Sequence, residues 1–196
     1  LAKQFEEAYA MKDHLTHVSP RVQNRNLPYT PVAPSDTMQN EPDTDFDLSQ
    51  NQEWVRRIFA KWKKSGTEEP EIIPLQIGAE TVVCKNRYKY LDRCQNDEVC
   101  ICEMSQADSA QVEKIIEIAE TDPAGWRKTT LEERHRIMYE AANRLADMRG
   151  DLIGCMCAVT GKTVIEGDVE VSEAVDYARF YTTAMKKFAA LDDIEI

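Results

Sequence analysis

The sequence is poor in glycine, with seven in 196 residues, and those seven are scattered. None of them builds a G-x-G-x-x-G turn, a P-loop or a nucleophile elbow, so no phosphate cradle is apparent. Histidine is scarcer still, at three. His14 and His17 stand as H-x-x-H on a helical stretch, yet no further ligands follow at metal-binding spacing, and a solvated helix end is expected. No apolar run approaches the roughly 18 residues of a membrane helix, and no charged start leads into an apolar segment as in a signal peptide. Positive charge is in deficit: 24 Lys and Arg face 35 Asp and Glu, a formal net charge of −11. That balance repels nucleic acid and anionic membranes, which are held by clustered Lys and Arg. The one basic cluster, Arg56, Arg57, Lys61, Lys63 and Lys64, has the spacing of a solvated helix face.

What is present suffices for a core, since 42% of residues are apolar. The six cysteines are Cys84, Cys94, Cys100, Cys102, Cys155 and Cys157. An even count can signal a disulfide framework, but here two pairs are spaced C-x-C. Cys100 and Cys102 alternate with Val99 and Ile101 on a strand, where neighbours two apart share a face but bond each other poorly. Cys155 and Cys157 lie in an apolar helix beside Ile153 and Val159, where burial disfavours a thiolate. They read as core thiols in a reducing, cytoplasmic location. Cys84 and Cys94, in strand or loop segments, stay open between packing and reactivity.

Residues 1–15 place Leu1, Phe5, Ala8, Met11 and Leu15 at helical spacing, as the tail of a helix from an upstream domain. The chain does not begin with Met, which suggests a cut from something longer or a leader removed upstream. Residues 16–47, punctuated by Pro20, Pro28, Pro31, Pro34 and Pro42, form a linker or an extended arm lying on another surface. Residues 48–196 form one further unit. It opens with a helix over 48–64, N-capped by Ser49, striped by Trp54, Val55, Ile58, Phe59 and Trp62, and ended by Ser65-Gly66. Residues 72–103 read as a small antiparallel unit of three or four strands.

The remainder is helical. Ser105 with Asp108 marks one start, ahead of an apolar face of Val112, Ile115, Ile116 and Ala119. Thr130 with Glu133 marks another, followed by Ile137, Met138, Ala141, Ala142, Leu145 and Met148. Gly150 interrupts, and Leu152, Ile153, Met156 and Val159 continue burial to a C-cap at Gly161. A last helix over 165–188 turns Val169, Ala174, Val175, Ala178, Tyr181 and Met185 inward. The chain is therefore mainly α with a small antiparallel β unit. So many helices on so little sheet suggest that a partner layer lies elsewhere in a parent chain. His135, between Glu132, Glu133, Arg134 and Arg136, is expected at the surface. Glu166, Asp168, Glu170, Glu173 and Asp176 read as a solvated acidic face, because the E-x-x-H partners of a di-metal bundle are absent. Glu173 and Asp176 remain pocket candidates.

An ordered series of motifs goes further. Asn40-Glu41-Pro42-Asp43-Thr44-Asp45-Phe46 precedes a helix and then Pro74-Leu75-Gln76-Ile77-Gly78. Later come Trp126, Thr129-Thr130-Leu131-Glu132-Glu133-Arg134, Ala141-Ala142-Asn143-Arg144-Leu145 and Thr160-Gly161-Lys162. Glu173-Ala174-Val175-Asp176 with Arg179-Phe180-Tyr181 closes the series. In order and spacing, residues 38–190 resemble the N-terminal part of 1-pyrroline-5-carboxylate dehydrogenases, within the aldehyde dehydrogenases. Val159 before Thr160-Gly161-Lys162 and the cysteines of 84–102 depart from the family pattern.

The resemblance implies an α/β parent that oxidises L-glutamate γ-semialdehyde to L-glutamate in proline catabolism, using a cysteine nucleophile, a glutamate base and NAD. In the family those groups follow the matched region, so no catalytic, cofactor-binding or metal residue is carried over, and no bound cofactor is expected on this chain. Glu173 matches a position at the mouth of the aldehyde pocket, with Phe180 and Tyr181 on the same helix. The residues ahead of Asn40 resemble the fused proline-utilisation arrangement, which implies an FAD-dependent proline dehydrogenase upstream. The family also implies a small-molecule substrate and a homo-oligomer. A competing reading is a non-catalytic helical interaction module of the same ancestry; a lesser one keeps the family and changes the aldehyde.

Overall fold

Local boxes of paired side chains start three of the helices. The computed structural model describes residues 1–14, 20–63, 69–95 and 99–191; His17, Lys64 and the Ser65-Gly66 stop lie outside them. In α4 (Leu131–Asp147), Thr130 accepts from the Glu133 N–H while Glu133 accepts from the Thr130 N–H. Thr163 and Glu166 do the same for α6 (Val164–Ala189). In α3 (Ser109–Thr121) the cap is Asp108 paired with Gln111, and Ser105 is not part of it. Ser105 instead ends a strand, where its buried hydroxyl accepts from the Cys84 N–H at 3.1 Å. Each box satisfies N–H groups that a helix start leaves free. The helix α2 (Ser49–Trp62) has no side-chain cap, and Ser49 is its first helical residue rather than its cap. The first helix, α1 (Ala2–Ala10), buries nothing.

The break between α4 and α5 (Arg149–Thr160) falls at Met148, ahead of the expected Gly150. Gly150 lies inside α5 because α2 crosses there: a Cβ at Gly150 would meet Trp54 at 3.3 Å and Ile58 at 3.4 Å. Gly161 ends α5 at φ +73°, a left-handed turn that suits glycine. The core joins α4, α5 and α6 through Ala142, Ala146, Ile153, Cys157, Val171, Val175 and Ala178. Ile153 and Val175 are fully buried, each worth about 1.5–3 kcal/mol of apolar transfer.

Among the described residues five short strands make two sheets. β1 (Glu71–Ile73), β4 (Arg87–Leu91) and β5 (Cys100–Ser105) form a sheet in the order β1-β5-β4. β2 (Leu75–Ile77) and β3 (Glu80–Val82) form a separate hairpin around Gly78. The antiparallel expectation holds for β2–β3 and β4–β5, but β1 joins β5 in parallel. Pro74 accounts for the split: it has no N–H to donate and divides 71–77 into two strands that serve different sheets.

Several burial assignments are corrected. Val169, Ala174, Tyr181 and Met185 are exposed, because α6 gives its inner face partly to Asp168, Ser172, Arg179 and Thr183, all buried with polar partners. His135 is buried, not superficial: its ring lies 4.7 Å from that of Tyr139, one turn along α4. Val112, Ile115 and Ile116 of α3 remain largely exposed, and no described helix is long and apolar enough to cross a membrane.

Candidate functional site

The stretch 20–48 has no regular structure, yet it is bonded to the helices residue by residue. Asn143 of α4 pairs with both backbone groups of Val32, at 3.0 and 2.9 Å. The Tyr139 hydroxyl donates to the Ser35 carbonyl at 3.1 Å. The Asn40-Glu41-Pro42 run then meets α6. Asn40 Nδ2 donates to Asp176 Oδ2 at 2.6 Å and the Glu41 N–H to Asp176 Oδ1 at 2.7 Å. The Glu41 carboxylate lies between Arg149 Nη2, at 3.3 Å, and Arg179 Nη1, at 3.1 Å. Thr44 donates through its N–H and its hydroxyl to the two oxygens of Asp168, each at 2.6 Å.

Beneath the arm, Arg149 Nη1 donates to Asp168 Oδ1 at 2.9 Å and to Ser172 Oγ at 3.0 Å. Arg179 Nη2 reaches the Tyr29 hydroxyl at 3.0 Å. Glu41 and Asp168 thus tie Arg149 and Arg179 into a buried network with the arm as its lid, and Arg25 of the arm adds a third guanidinium, 4.0 Å from Glu41. Burial holds the Arg25 guanidinium below its ordinary pKa, with the Arg149 charge adding to the effect. Burial likewise pushes the Tyr29 hydroxyl up. The solvated-acidic-face reading is therefore corrected for Asp168 and Asp176: an irregular arm presents free N–H groups, and these two carboxylates accept them.

On the outer side of the same junction the three residues singled out by resemblance come together. Glu173, Phe180 and Tyr181 line an open groove of about 500 Å³ with Val169, Asp176 and Tyr177 of α6, and Met38, Asn40 and Asp43 of the arm. The Tyr177 hydroxyl donates to Glu173 at 2.9 Å, and that carboxylate holds the phenol above its usual pKa. The Tyr177 and Tyr181 rings are 5.8 Å apart, and Phe180 meets Tyr181 edge-on at 5.4 Å. The groove therefore offers aromatic walls and several carboxylates, Glu173 with Asp176 and Asp43, an arrangement that orients a small polar molecule rather than attacking it.

Nucleophile chemistry finds no support at three of the thiols. Burial raises the pKa of Cys102, Cys155 and Cys157. Among the described residues no group of three or more His, Cys, Asp or Glu is placed to hold a metal. At the starts of α3, α4 and α6 the side chains of Asp108, Thr130 and Thr163 already accept from a free N–H group that an anion would use. A pH dependence follows from the raised thiols. Their folded pKa lies above the unfolded value, so the unfolded chain loses these protons first, and stability falls as pH rises past roughly 8.5. Urea midpoints measured from pH 7.5 to 10 should decline across that window and flatten when the three cysteines are replaced by serine or alanine; a flat profile in the unsubstituted chain would contradict it.

Glu41, Arg149, Arg179, Asn143 and Tyr29 were not identified as site residues from sequence. The available signal was two arginines, Arg149 and Arg179, at helical positions flanked by core residues. Both ring nitrogens of the buried His135 have no hydrogen-bond partner among the described residues.

Known proteins place this arrangement. The pattern of the aldehyde dehydrogenase family matches residues 84–194. A 1-pyrroline-5-carboxylate dehydrogenase of Geobacillus sp. (strain WCH70) is 30% identical over 149 residues, and one of Bacillus pumilus is 26% identical over 151. Each alignment takes in 76% of this chain, which spans 28% of the length of those relatives. Among solved structures, 1-pyrroline-5-carboxylate dehydrogenase of Thermus thermophilus superposes with a TM-score of 0.72 at 22% identity, over 82% of this chain and 30% of that one. Proline utilization A of Bdellovibrio bacteriovorus gives 0.71 at 21% identity, over 90% of this chain and 17% of that one. At such identities the likeness establishes the fold, and the helices, the small sheets and more than half of the sequence agree that this chain belongs to the aldehyde dehydrogenase family.

Proposed function

We propose that this chain is the N-terminal part of an NAD-dependent dehydrogenase that oxidises L-glutamate γ-semialdehyde, the open form of 1-pyrroline-5-carboxylate, to L-glutamate in the cytoplasm. The observation that carries the reading is the groove, in which Glu173, Phe180 and Tyr181 lie together beside the Asn40-Glu41-Pro42 arm. The names of the similar proteins support the substrate. The role of this chain's residues is positional: Phe180 and Tyr181 wall the mouth of the substrate path, and Glu173, steadied by Tyr177, orients the entering polar group. The nucleophilic cysteine, the water-activating glutamate and the NAD-binding turn are assigned to the rest of the parent protein. The likeness to proline utilization A supports a fused, FAD-dependent proline dehydrogenase upstream, with α1 (Ala2–Ala10) at its end.

The test compares the 196-residue chain with its parent by NADH absorbance in the presence of pyrroline-5-carboxylate and NAD. The chain alone is expected to give no turnover and the parent to give it. In the parent, Glu173→Ala and Tyr181→Ala are each expected to lower kcat/KM about tenfold, equivalent to about 1.4 kcal/mol of transition-state binding, with Tm unchanged because both side chains are exposed. NADH formation by the chain alone, or substitutions without kinetic effect, would overturn the respective halves of the reading.

A further inference from the structure

We propose that Cys94 and Cys157 form a peroxide-driven disulfide, which makes the cavity between α2, α5 and the turn after β4 a thiol modification site. Both cysteines line one cavity of about 270 Å³, walled by Phe59, Trp62 and Ala158. Cys94 Sγ lies 3.4 Å from the carbonyl oxygen of Cys157, across 63 residues of sequence. The turn carrying Cys94 is pinned. The Arg93 N–H donates to the Ala158 carbonyl at 2.9 Å, tying it to the last turn of α5. The buried Asp92 carboxylate accepts from the Cys94 N–H at 2.8 Å and from Gln95 Nε2 at 2.6 Å. These bonds hold the Cys94 turn against α5, and both cysteines line the one cavity in which a bridge would form.

The two thiols differ in the way a peroxide-sensing pair requires. Cys94 is exposed and meets the oxidant, whereas Cys157 is buried. The chemistry balances in two steps. Cys94 sulfur attacks a hydroperoxide oxygen, the O–O bond breaks, sulfur is oxidised to sulfenic acid, and the peroxide is reduced to water or an alcohol. Cys157 sulfur then displaces the sulfenic oxygen, the S–S bond forms, and that oxygen leaves as water with the thiol proton. The neighbouring Cys94 thiol already contributes to the raised pKa of Cys157, consistent with their proximity. Other cysteines are engaged differently: Cys84 contacts Gln111, and Cys100 donates within its own strand to the Cys102 carbonyl at 3.5 Å.

The experiment exposes the reduced full chain to hydrogen peroxide and counts free thiols. The count is expected to fall from six to four, with recovery in dithiothreitol. Peptide mapping without reduction is expected to join Cys94 to Cys157, and Tm to rise by roughly 5 °C as the long loop is closed. Trp62, on the cavity wall, should change its fluorescence in step. Cys94→Ser, an exposed change that leaves the core intact, should abolish the bridge. Cys157→Ala should leave a Cys94 sulfenic acid that dimedone traps. Six thiols retained, a bridge mapped to another pair such as Cys102 with Cys155, or bridging that persists in Cys94→Ser would overturn the proposal.

Discussion

Asp168→Ala is expected to lower the unfolding free energy by about 3–5 kcal/mol, read as a large fall in the urea midpoint. Asp168 is fully buried and accepts three hydrogen bonds at 2.9 Å or less, two from Thr44 and one from Arg149. Its removal leaves the Arg149 guanidinium buried with Glu41, at 3.3 Å, as its one remaining carboxylate partner among the described residues. It also leaves the Thr44 N–H and hydroxyl without their acceptor under the arm. The cost is dominated by the uncompensated buried charge, since the Coulombic attraction of an intact buried pair roughly offsets its desolvation. Asp176→Ala provides the contrast. That residue is only half-buried and accepts from Asn40 and the Glu41 N–H, so a smaller loss of about 1–2 kcal/mol is expected. Both variants should release the arm, and limited proteolysis between 20 and 47 should accelerate in each. An unchanged midpoint for Asp168→Ala would show that the network contributes nothing net.

The parts of this fold that a reader of the sequence can see are those set by neighbours a few residues apart. The Thr130–Glu133 box and the Gly161 stop depend on backbone groups within one turn, and both stand as expected. The parallel pairing of β1 with β5 brings Ile72 to Glu103, and nothing in either strand encodes that distant choice. The charge network was hidden for the same reason. Glu41 meets Arg149 across 108 residues and Arg179 across 138, so each charge viewed locally looks like a solvated one. His135 misled through its flanks: four charged neighbours suggested surface, while the spacing of four to Tyr139 put it on the buried face of α4. The groove was legible only through family resemblance, because Glu173, Phe180 and Tyr181 share a face of α6 but its other wall comes from the arm.

Gly154→Ala is expected to cost about 1–3 kcal/mol, although alanine is the better helix former by about 1 kcal/mol. A Cβ built at Gly154 would lie 2.2 Å from Trp62 Cδ1, 2.5 Å from Cγ and 2.6 Å from Nε1, distances that no side chain tolerates. The indole has little freedom to withdraw. Its Nε1 donates to Asp151 at 3.1 Å, and Asp151 is also bound by Lys61 at 2.5 Å, an ion pair that holds the Asp151 carboxyl below its usual pKa. Moving the ring would therefore break that hydrogen bond and loosen the seam between α2 and α5. The sign is decided by whether the ring is present. With Trp62→Ala as background, the clash is gone and only helix propensity remains, so Gly154→Ala should then stabilise by up to about 1 kcal/mol. A double-mutant cycle read by urea denaturation measures that reversal. Equal costs in both backgrounds would mean that the close approach of Trp62 is not what glycine provides at this position, and the seam would have to be explained by the packing of Ile58 and Ile153 alone.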